Sequence, residues 1–164
     1  MPIDAVRVAA VTVSDTRTEA DDESGARLCE RLQAAGFVVS LRAIVRDEPS
    51  AIRALIDRID DEDLADAIVT TGGTGVAPRD QTIETLDAML DKRLDGFGEA
   101  FRRLSWDEIG PRSVLSRATA GVVRGRVVAA LPGNPRAIAL AVDRVLAPIL
   151  GHAVAVARGQ KHGH

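Results

Sequence analysis

A glycine-rich stretch that ends in a carboxylate contains the residues best suited to chemistry. Gly72, Gly73 and Gly75 enclose Thr74, and Asp80 follows just before a helical pattern. Glycines tolerate positive φ angles and allow backbone N–H groups to approach an anion such as phosphate. The stretch also follows a short apolar run rich in β-branched residues, so it is predicted to link a buried strand to a helix N-terminus, where anions bind. A carboxylate beside such a loop indicates a bound divalent cation.

Two interpretations of Asp80 remain open at this point. The stretch matches neither the P-loop pattern nor the Gly-x-Gly-x-x-Gly dinucleotide fingerprint, so generic nucleotide motifs do not identify it. In the structural interpretation, the loop is an ordinary strand-to-helix connection and Asp80 is the N-cap of the helix. The composition of the stretch as a whole favours a binding function.

Polar residues also follow the first predicted strand. Ser14 and Asp15 come after an almost continuous apolar run at 6–13, which is typical of a central parallel strand. Open α/β sheets bind their ligands at the carboxyl ends of the strands, so Ser14 and Asp15 are expected beside the glycine-rich loop. The alternative for both residues is ordinary turn chemistry.

A second aspartate occupies the same kind of position. Asp47 follows the second predicted strand, 37–44, and precedes Pro49. Because it also lies at the carboxyl end of a strand, Asp47 is expected to join Asp80 in binding a metal ion. The alternative is that Asp47 or Glu48 caps the helix that Pro49 begins.

A predicted β-hairpin supplies the last candidate loop. Its strands are 118–123 and 127–131, and the first is expected to run against the rest of the sheet. The second then brings Pro132, Gly133 and Asn134 to the edge where the other loops lie. Helix capping by Asn134, with a proline following at the first helical position, explains part of this motif but leaves Pro132 and Gly133 unexplained.

The region after the glycine-rich loop carries three smaller predictions. Residues 96–99 contain two glycines, which helix interiors seldom tolerate, so they are predicted to form a loop that enters a helix. Phe97 and Phe101 are expected in the core, and Trp106 is expected at an interface.

Composition and charge exclude several classes of function. The chain has 24 acidic and 21 basic residues, a net charge of -3 and 2% aromatic residues, so it lacks the basic surface and stacking platforms of nucleic-acid-binding proteins. The single cysteine, Cys29, rules out an internal disulfide and a cysteine metal cluster and fits a reducing compartment.

Location and domain organisation follow from similar observations. No signal-peptide pattern is found, and the longest apolar stretch, 137–150, is interrupted by two charged residues and is too short to cross a bilayer. We therefore expect a cytoplasmic protein without membrane contact. The 164 residues are predicted to form a single domain at 1–157, followed by a polar, disordered tail at 158–164.

Seven short motifs, spread over nearly the whole chain, together resemble the MoaB/Mog family of molybdenum cofactor biosynthesis proteins. They are Thr-Val-Ser-Asp at 12–15, Asp-Asp-Glu-Ser-Gly at 21–25, Thr-Gly-Gly-Thr-Gly at 71–75, Pro-Arg-Asp at 78–80, Gly-Phe-Gly-Glu-Ala-Phe-Arg at 96–102, Leu-Ser-Arg at 115–117 and Leu-Pro-Gly-Asn-Pro at 131–135. The second of these motifs and a Phe-Arg-x-Leu-Ser-x-x-Glu-Ile-Gly pattern at 101–110 are most similar to the MoaB branch.

The resemblance implies a fold, an assembly and an activity. The implied fold is a three-layer α/β/α sandwich with a mixed, mostly parallel five-stranded sheet, in a trimeric or hexameric homo-oligomer. Family members bind molybdopterin, and active members transfer AMP from Mg-ATP to its terminal phosphate with release of pyrophosphate. Mg²⁺ is therefore the implied metal, and other molybdenum cofactor biosynthesis proteins are the implied partners.

The resemblance also assigns roles to residues. Asp47 and Asp80 would be the acidic, metal-binding residues of adenylyl transfer. The other site residues would contact substrate. Phosphate would be bound by Gly72, Gly73, Thr74 and Gly75, and the pocket would be lined by Ser14 and Asp15. The pterin side would be contacted by Ser116, Pro132, Gly133 and Asn134. Two alternatives stay open. The first is a molybdopterin-binding scaffold without turnover. The second is a nucleotide pyrophosphate hydrolase, because a related domain occurs in competence-damage proteins.

Overall fold

A sheet of six strands forms the centre of the structure, a computed structural model that describes residues 5–160. The strands are β1 (Arg7–Val13), β2 (Val38–Val45), β3 (Ala67–Thr71), β4 (Lys92–Arg93), β5 (Thr119–Val123) and β6 (Arg126–Leu131). Their order across the sheet is β2-β1-β3-β6-β5-β4. Strands β1, β2, β3 and β6 are parallel, whereas the β5–β6 and β4–β5 pairs are antiparallel.

All five predicted strands are present, and the hairpin strand expected to run against the sheet is β5. The sixth strand, β4, pairs with β5 at the edge of the sheet. Its two residues are too few to produce a hydrophobic period, so no pattern in the sequence could have indicated it.

Helices cover both faces of this sheet. They are α1 (Glu23–Ala34), α2 (Pro49–Asp61), α3 (Thr82–Met89), α4 (Asp95–Ile109), α5 (Pro135–Leu140) and α6 (Ala147–Ala157). A 3₁₀ segment, Gly110–Leu115, follows α4, and a π-helical segment, Ala141–Leu146, joins α5 to α6. One core cluster contains residues of α1, α4, α5 and α6, and a second contains residues of α2 and α3. The mixed α/β fold is therefore the three-layer arrangement that the resemblance implies.

Strand β1 shows why the central strands are apolar throughout. Val8 and Ala10 belong to the core cluster on one face, whereas Ala9 belongs to the cluster on the other. In register, Thr12 of β1 lies opposite Thr71 of β3, which lies opposite Leu131 of β6. The carboxyl ends of these strands therefore meet at one edge, where their following loops come together.

The C-terminal helical segment is longer than the apolar stretch predicted at 137–150. Its 23 residues, Pro135–Ala157, are long and apolar enough to span a membrane by length and composition alone. However, one face of the segment contributes Ile138 and Leu150 to the core, and Asp143 on another face pairs with Arg31 of α1 at 2.9 Å. We therefore describe this segment as a core helix of the three-layer domain.

The predicted loop at 96–99 is wrong, because these residues form the first turn of α4. Gly98 lies against β5: a Cβ atom there would be 2.6 Å from the Ala118 carbonyl oxygen. Close packing, not loop formation, therefore explains this glycine. Phe97 and Phe101 are buried core residues, as predicted.

The predicted domain and tail lie only partly within the described residues, since 1–4 and 161–164 fall outside them. The Arg158 side chain pairs with Asp66, and the backbone N–H groups of 158–160 donate hydrogen bonds to carbonyl oxygens of α6. The packed part of the chain thus continues past the boundary predicted at 157.

Candidate functional site

Two glycines of the loop after β3 adopt a left-handed backbone. Gly72 and Gly73 have φ angles of 94° and 70°. A Cβ atom at Gly72 would lie 2.4 Å from the Val13 carbonyl oxygen, and one at Gly73 would lie 2.1 Å from Thr82 Oγ1. A side chain at either position would strain the loop and push it away from β1 or α3. Glycine is therefore required at both positions for the loop to pack at this edge.

Asp47 points away from the helix that follows it. The residue is 7% exposed, and its Oδ1 accepts a hydrogen bond from the Gln81 backbone N–H at 3.0 Å. The N-cap of α2 is Glu48, which makes no side-chain capping bond. The alternative prediction that Asp47 or Glu48 caps α2 through its side chain is therefore wrong. Asp47 instead connects the end of β2 to the start of α3.

Burial raises the pKa of Asp47 above its usual value. The hydrogen bond from Gln81 lowers it, but the negative charges of Asp80 and Asp15 raise it further. Like charges shift a pKa in this way when they lie nearby, so the carboxylates of Asp15, Asp47 and Asp80 are neighbours at this edge of the sheet. Carboxyl groups whose pKa is shifted by burial and by neighbouring charges are common at functional sites.

Asp80 is not the N-cap of α3. That position belongs to Gln81, and Asp80 Oδ2 instead accepts a hydrogen bond from the Ala77 backbone N–H at 2.9 Å. A Cβ atom at Gly75 would lie 2.7 Å from the same Asp80 oxygen. The interpretation of Asp80 as the N-cap of the helix is therefore wrong. Asp80 instead closes a tight turn, 77–80, that directs its carboxylate toward the glycine-rich loop.

The two aspartates each keep one carboxylate oxygen available. Among residues 5–160, no hydrogen-bond donor contacts Asp47 Oδ2 or Asp80 Oδ1. Within the same residues, no group of three or more His, Cys, Asp or Glu side chains is arranged to hold a metal ion. Mg²⁺ is often held by one or two carboxylates, with substrate phosphates and water completing its octahedron. The donor set of Asp47 and Asp80 fits that mode of binding.

Ser14 and Asp15 differ in what they do. Ser14 Oγ accepts hydrogen bonds from two backbone N–H groups of the same loop, at 3.1 and 3.2 Å, which is the turn chemistry considered above as the alternative to a binding role. Asp15 Oδ1 accepts a bond from the Asp47 N–H at 3.1 Å, and Oδ2 pairs with Arg79 at 2.6 Å. The Arg79 guanidinium holds the pKa of Asp15 below its usual value. Asp15 therefore ties the β1, β2 and β3 loops together.

A cleft of about 250 Å³ adjoins this edge on the α4 and α5 side. Its lining includes three of the predicted residues, Ser116, Pro132 and Asn134, and apolar walls are provided by Phe101 and Leu140. Two arginines, Arg112 and Arg136, also line it. The cleft thus combines apolar surface, hydroxyl and amide groups, and positive charge.

The loop 132–134 joins the cleft to the glycine-rich loop. A Cβ atom at Gly133 would lie 3.7 Å from Gly72 Cα, so the two loops are in contact. Asn134 caps α5 by accepting the Arg136 N–H at 2.8 Å, with Pro135 at the first turn, as predicted. The predicted site residues therefore form two adjoining parts, one built around carboxylates and glycines and one built around the cleft.

Two residues of the acidic motif at 21–25 support the site, and sequence reasoning missed this role. Asp22 is 3% exposed, accepts the Gly25 N–H at 2.9 Å and receives the Thr12 hydroxyl at 2.7 Å. The Ser24 hydroxyl donates to the Gly133 carbonyl oxygen. The Asp-Asp-Glu-Ser-Gly motif was the available signal.

Almost the whole length of the chain is similar to known proteins. The family model described as "Probable molybdopterin binding domain" matches residues 9–152. Molybdenum cofactor biosynthesis protein B of Bacillus cereus is 44% identical over 149 residues, covering 90% of this chain and 88% of the relative. The protein of the same name from Bacillus subtilis is 42% identical over 160 residues, covering 96% and 94%.

Solved structures give the same result. A crystal structure of molybdenum cofactor biosynthesis protein B has a TM-score of 0.91 and 41% identity, covering 95% of this chain and 98% of the other. The tungsten cofactor synthesizing protein MoaB from Pyrococcus furiosus has a TM-score of 0.83 and 37% identity, covering 95% and 99%. Sequence and fold agree, and the chain belongs to the MoaB/Mog family of molybdenum cofactor biosynthesis proteins.

Proposed function

We propose that this protein acts in molybdenum cofactor biosynthesis, where it binds molybdopterin and transfers AMP to its terminal phosphate from Mg-ATP, releasing pyrophosphate. The observation that carries the proposal is the junction of two parts: a carboxylate and glycine loop site that meets a cleft through the Gly72–Gly133 contact. A reaction between a nucleotide and a pterin phosphate needs two adjoining subsites of these kinds. A cytoplasmic location, contact with other cofactor biosynthesis proteins and a trimeric or hexameric homo-oligomer belong to the same proposal.

The carboxylate side suits the nucleotide. Mg²⁺ bound there would offset the negative charge of the nucleotide phosphates, and Asp47 and Asp80 would hold it through their available oxygens. The glycine-rich loop gives close access to backbone N–H groups, which bind phosphate without adding charge. Asp15 keeps Asp47 in place through the Asp47 N–H, so its role in this site is to position a ligand residue.

The cleft side suits the pterin. Flat, partly polar rings bind best between apolar walls with a few fixed polar groups, and Phe101 and Leu140 with Ser116 and Asn134 provide that combination. Arg112 and Arg136 on the cleft wall favour an anionic substrate. Gly133 would then lie where the pterin phosphate approaches the nucleotide.

The chemistry needs no covalent nucleophile. An oxygen of the pterin phosphate forms a bond to the α-phosphorus of ATP while the bond from that phosphorus to the bridging oxygen breaks, and pyrophosphate leaves. The site residues named above include no histidine, lysine or cysteine, so orientation and charge neutralisation are the contributions of this chain. The buried Asp47 and the turn that fixes Asp80 provide rigid positions for both.

The direct test is to supply the purified protein with molybdopterin and Mg-ATP and to measure pyrophosphate release and adenylylated pterin. We expect release to depend on both substrates. Asp80→Asn should lower turnover by about 100-fold or more, since it removes a fixed charge at the reacting centre, while pterin affinity stays unchanged. Asp57→Asn, which alters a surface ion pair with Arg124, is the matched control and should keep full activity.

The alternative is a molybdopterin-binding scaffold without turnover. The observation that favours it is that Asp47 and Asp80 each accept a backbone N–H hydrogen bond, which is a structural role that needs no metal ion. Binding of the pterin without pyrophosphate release would establish the scaffold. Equal loss of pterin binding and turnover in Asp80→Asn would contradict a catalytic role for that residue.

A further inference from the structure

The dipeptide Ser116-Arg117 touches both parts of the site. Ser116 lines the cleft. The Arg117 side chain runs the other way and donates to the Gly75 carbonyl oxygen from Nε at 3.0 Å and from Nη2 at 2.5 Å. Two neighbouring residues of one segment thus reach the cleft and the glycine-rich loop at the same time.

Arg117 also holds the helix that follows the glycine-rich loop. Its Nη1 pairs with Glu84, in the first turn of α3, and this hydrogen bond lowers the pKa of Glu84. The loop therefore has one contact to Arg117 in its middle, at Gly75, and another just after its end. A planar guanidinium can make both contacts because its donors are fixed in a fork, which a lysine ammonium does not provide.

The Gly75 carbonyl is close to the carboxylate that the reaction needs. Gly75 faces Asp80, since a Cβ atom at Gly75 would lie 2.7 Å from Asp80 Oδ2. That oxygen is fixed by the Ala77 N–H at 2.9 Å. Any shift of the main chain at Gly75 would therefore change the position of the Asp80 carboxylate.

The segment that carries Arg117 is itself anchored by a second arginine. Arg102 of α4 donates from Nη1 to the Ser116 carbonyl oxygen at 3.4 Å and to the Ala118 carbonyl oxygen at 3.2 Å. Gly98 provides the space for this guanidinium, because a Cβ atom there would be 2.9 Å from both terminal nitrogens. Among residues 5–160, Arg102 forms no ion pair with a carboxylate, so its structural task is to hold this segment.

We propose that Arg117 is a positioning residue that sets the glycine-rich loop and the Asp80 carboxylate relative to the cleft. Its link to catalysis rests on the function proposed above. Arg117 acts through Gly75 and Glu84 and does not itself contact substrate. Loss of its fork would loosen the nucleotide side of the site while leaving the cleft lining in place.

The test compares Arg117→Lys with Arg124→Lys. Arg124 is an ion-paired arginine away from the site, and it contacts two carboxylates, those of Asp57 and Asp60, at the opposite edge of the sheet. The first measurement is hydrogen exchange of the backbone amides at 72–81, which requires no ligand. We expect exchange there to be about tenfold faster in Arg117→Lys and unchanged in Arg124→Lys.

The second measurement is calorimetric titration with a non-hydrolysable Mg-ATP analogue and, separately, with molybdopterin. Arg117→Lys should raise the Kd for the nucleotide analogue about tenfold, as is usual for residues that orient ligand groups, and leave the Kd for the pterin within about twofold. Unchanged exchange at 72–81 would overturn the proposal. Equal weakening of both ligands would also overturn it, whereas a wild-type protein that binds neither ligand would refute the proposed function and leave the exchange result to decide the role of Arg117.

Discussion

Asp47 and Asp66 are both buried aspartates, but their neighbours affect them in opposite ways. Burial raises the pKa of Asp66, yet hydrogen bonds from the Arg7 side chain and backbone and from Arg158 bring it down to about 2. Burial also raises the pKa of Asp47, where the hydrogen bond from the Gln81 N–H and the charge of Arg79 do not overcome burial and the repulsion of nearby carboxylates. The charge on Asp66 therefore stabilises the fold, whereas the charge on Asp47 is maintained at a cost to stability.

We expect Asp47→Asn to raise the midpoint of thermal unfolding at neutral pH, in the absence of metal, and to lower turnover by about 100-fold or more. The folded-state pKa of Asp47 lies above the value of 3.8 for an unperturbed aspartate, so the folded protein binds this proton more tightly than the unfolded chain does. The free energy of unfolding thus falls as the pH rises through the interval between the two pKa values. The difference in unfolding midpoint between Asp47→Asn and the wild type should be largest above that interval and should vanish below pH 3.8.

Asp66→Asn is the control for this prediction, because it removes a carboxylate of the opposite kind. That variant should be less stable than the wild type at neutral pH, since Arg7 and Arg158 lose an ionised partner. Thermal midpoints of all three proteins across a pH series decide the matter. A lower midpoint for Asp47→Asn at neutral pH would contradict our account of the site.

Local chemistry decides which residue roles can be predicted from sequence. The capping of α5 by Asn134 and the turn made by Ser14 depend on neighbours within three residues, so the first could be predicted and the second could be recognised as an alternative. The partner of Asp47 is Gln81, which is separated by 34 residues and reaches it only through the packing of α3 against the end of β2. A cap for α2 was an adequate local explanation of Asp47, so the sequence alone could not reject it.

At the scale of elements, helix α4 begins with two glycines that have different surroundings. Gly98 is buried against β5 and under the Arg102 guanidinium, whereas a Cβ atom at Gly96 would meet no atom within 4 Å. Intrinsic helix propensity treats both glycines alike and led to the prediction of a loop at 96–99. Packing against Ala118 overrides propensity at Gly98, which is a tertiary effect that a single sequence does not display.

Gly98→Ala should lower the free energy of unfolding by about 1–3 kcal/mol, because the new methyl group would overlap the Ala118 carbonyl oxygen and α4 would have to move away from β5. Gly96→Ala is the matched control and should be neutral or stabilising by up to about 1 kcal/mol, the difference in helix propensity between the two residues. Urea unfolding midpoints measure both. Equal changes in the two variants would mean that close packing of α4 against β5 does not require glycine at position 98.

Hydrophobic patterning was sufficient for the five strands that it predicted, because each has at least five residues and at least one face that is buried or half-buried. Strand β4 has two exposed residues and pairs only because the chain after α3 runs beside β5. The two-part site could be outlined by placing loops at strand ends. Its internal contacts, such as Gly72 with Gly133 and Arg117 with Gly75, depend on how those loops pack.

At the scale of the whole molecule, most of the exposed large apolar side chains among residues 5–160 lie on two surfaces. The first, which we call the α4 patch, consists of Trp106, Ile109, Val114 and Leu115, with exposures of 51%, 57%, 67% and 57%. The second lies on α6, where Ile149 and Val156 are 42% and 49% exposed. Trp106 and Val114 share a depression with Arg102 and Arg103, and tryptophan and arginine are the residues that most often dominate protein interfaces.

We therefore predict that the protein is a homo-oligomer that assembles through the α4 patch. Trp106→Ser should weaken assembly by at least about 2 kcal/mol, the usual cost of losing a central interface tryptophan, and shift the mass measured by sedimentation equilibrium toward that of the monomer at micromolar concentration. Val156→Ser removes an equally exposed side chain from α6 and should leave the mass unchanged. A monomeric wild type would refute oligomerisation itself, whereas dissociation by Val156→Ser alone would move the interface to α6. Because Ile109 and Ser113 lie in or beside the α4 patch and also line the cleft, loss of assembly through that patch should be accompanied by weaker pterin binding.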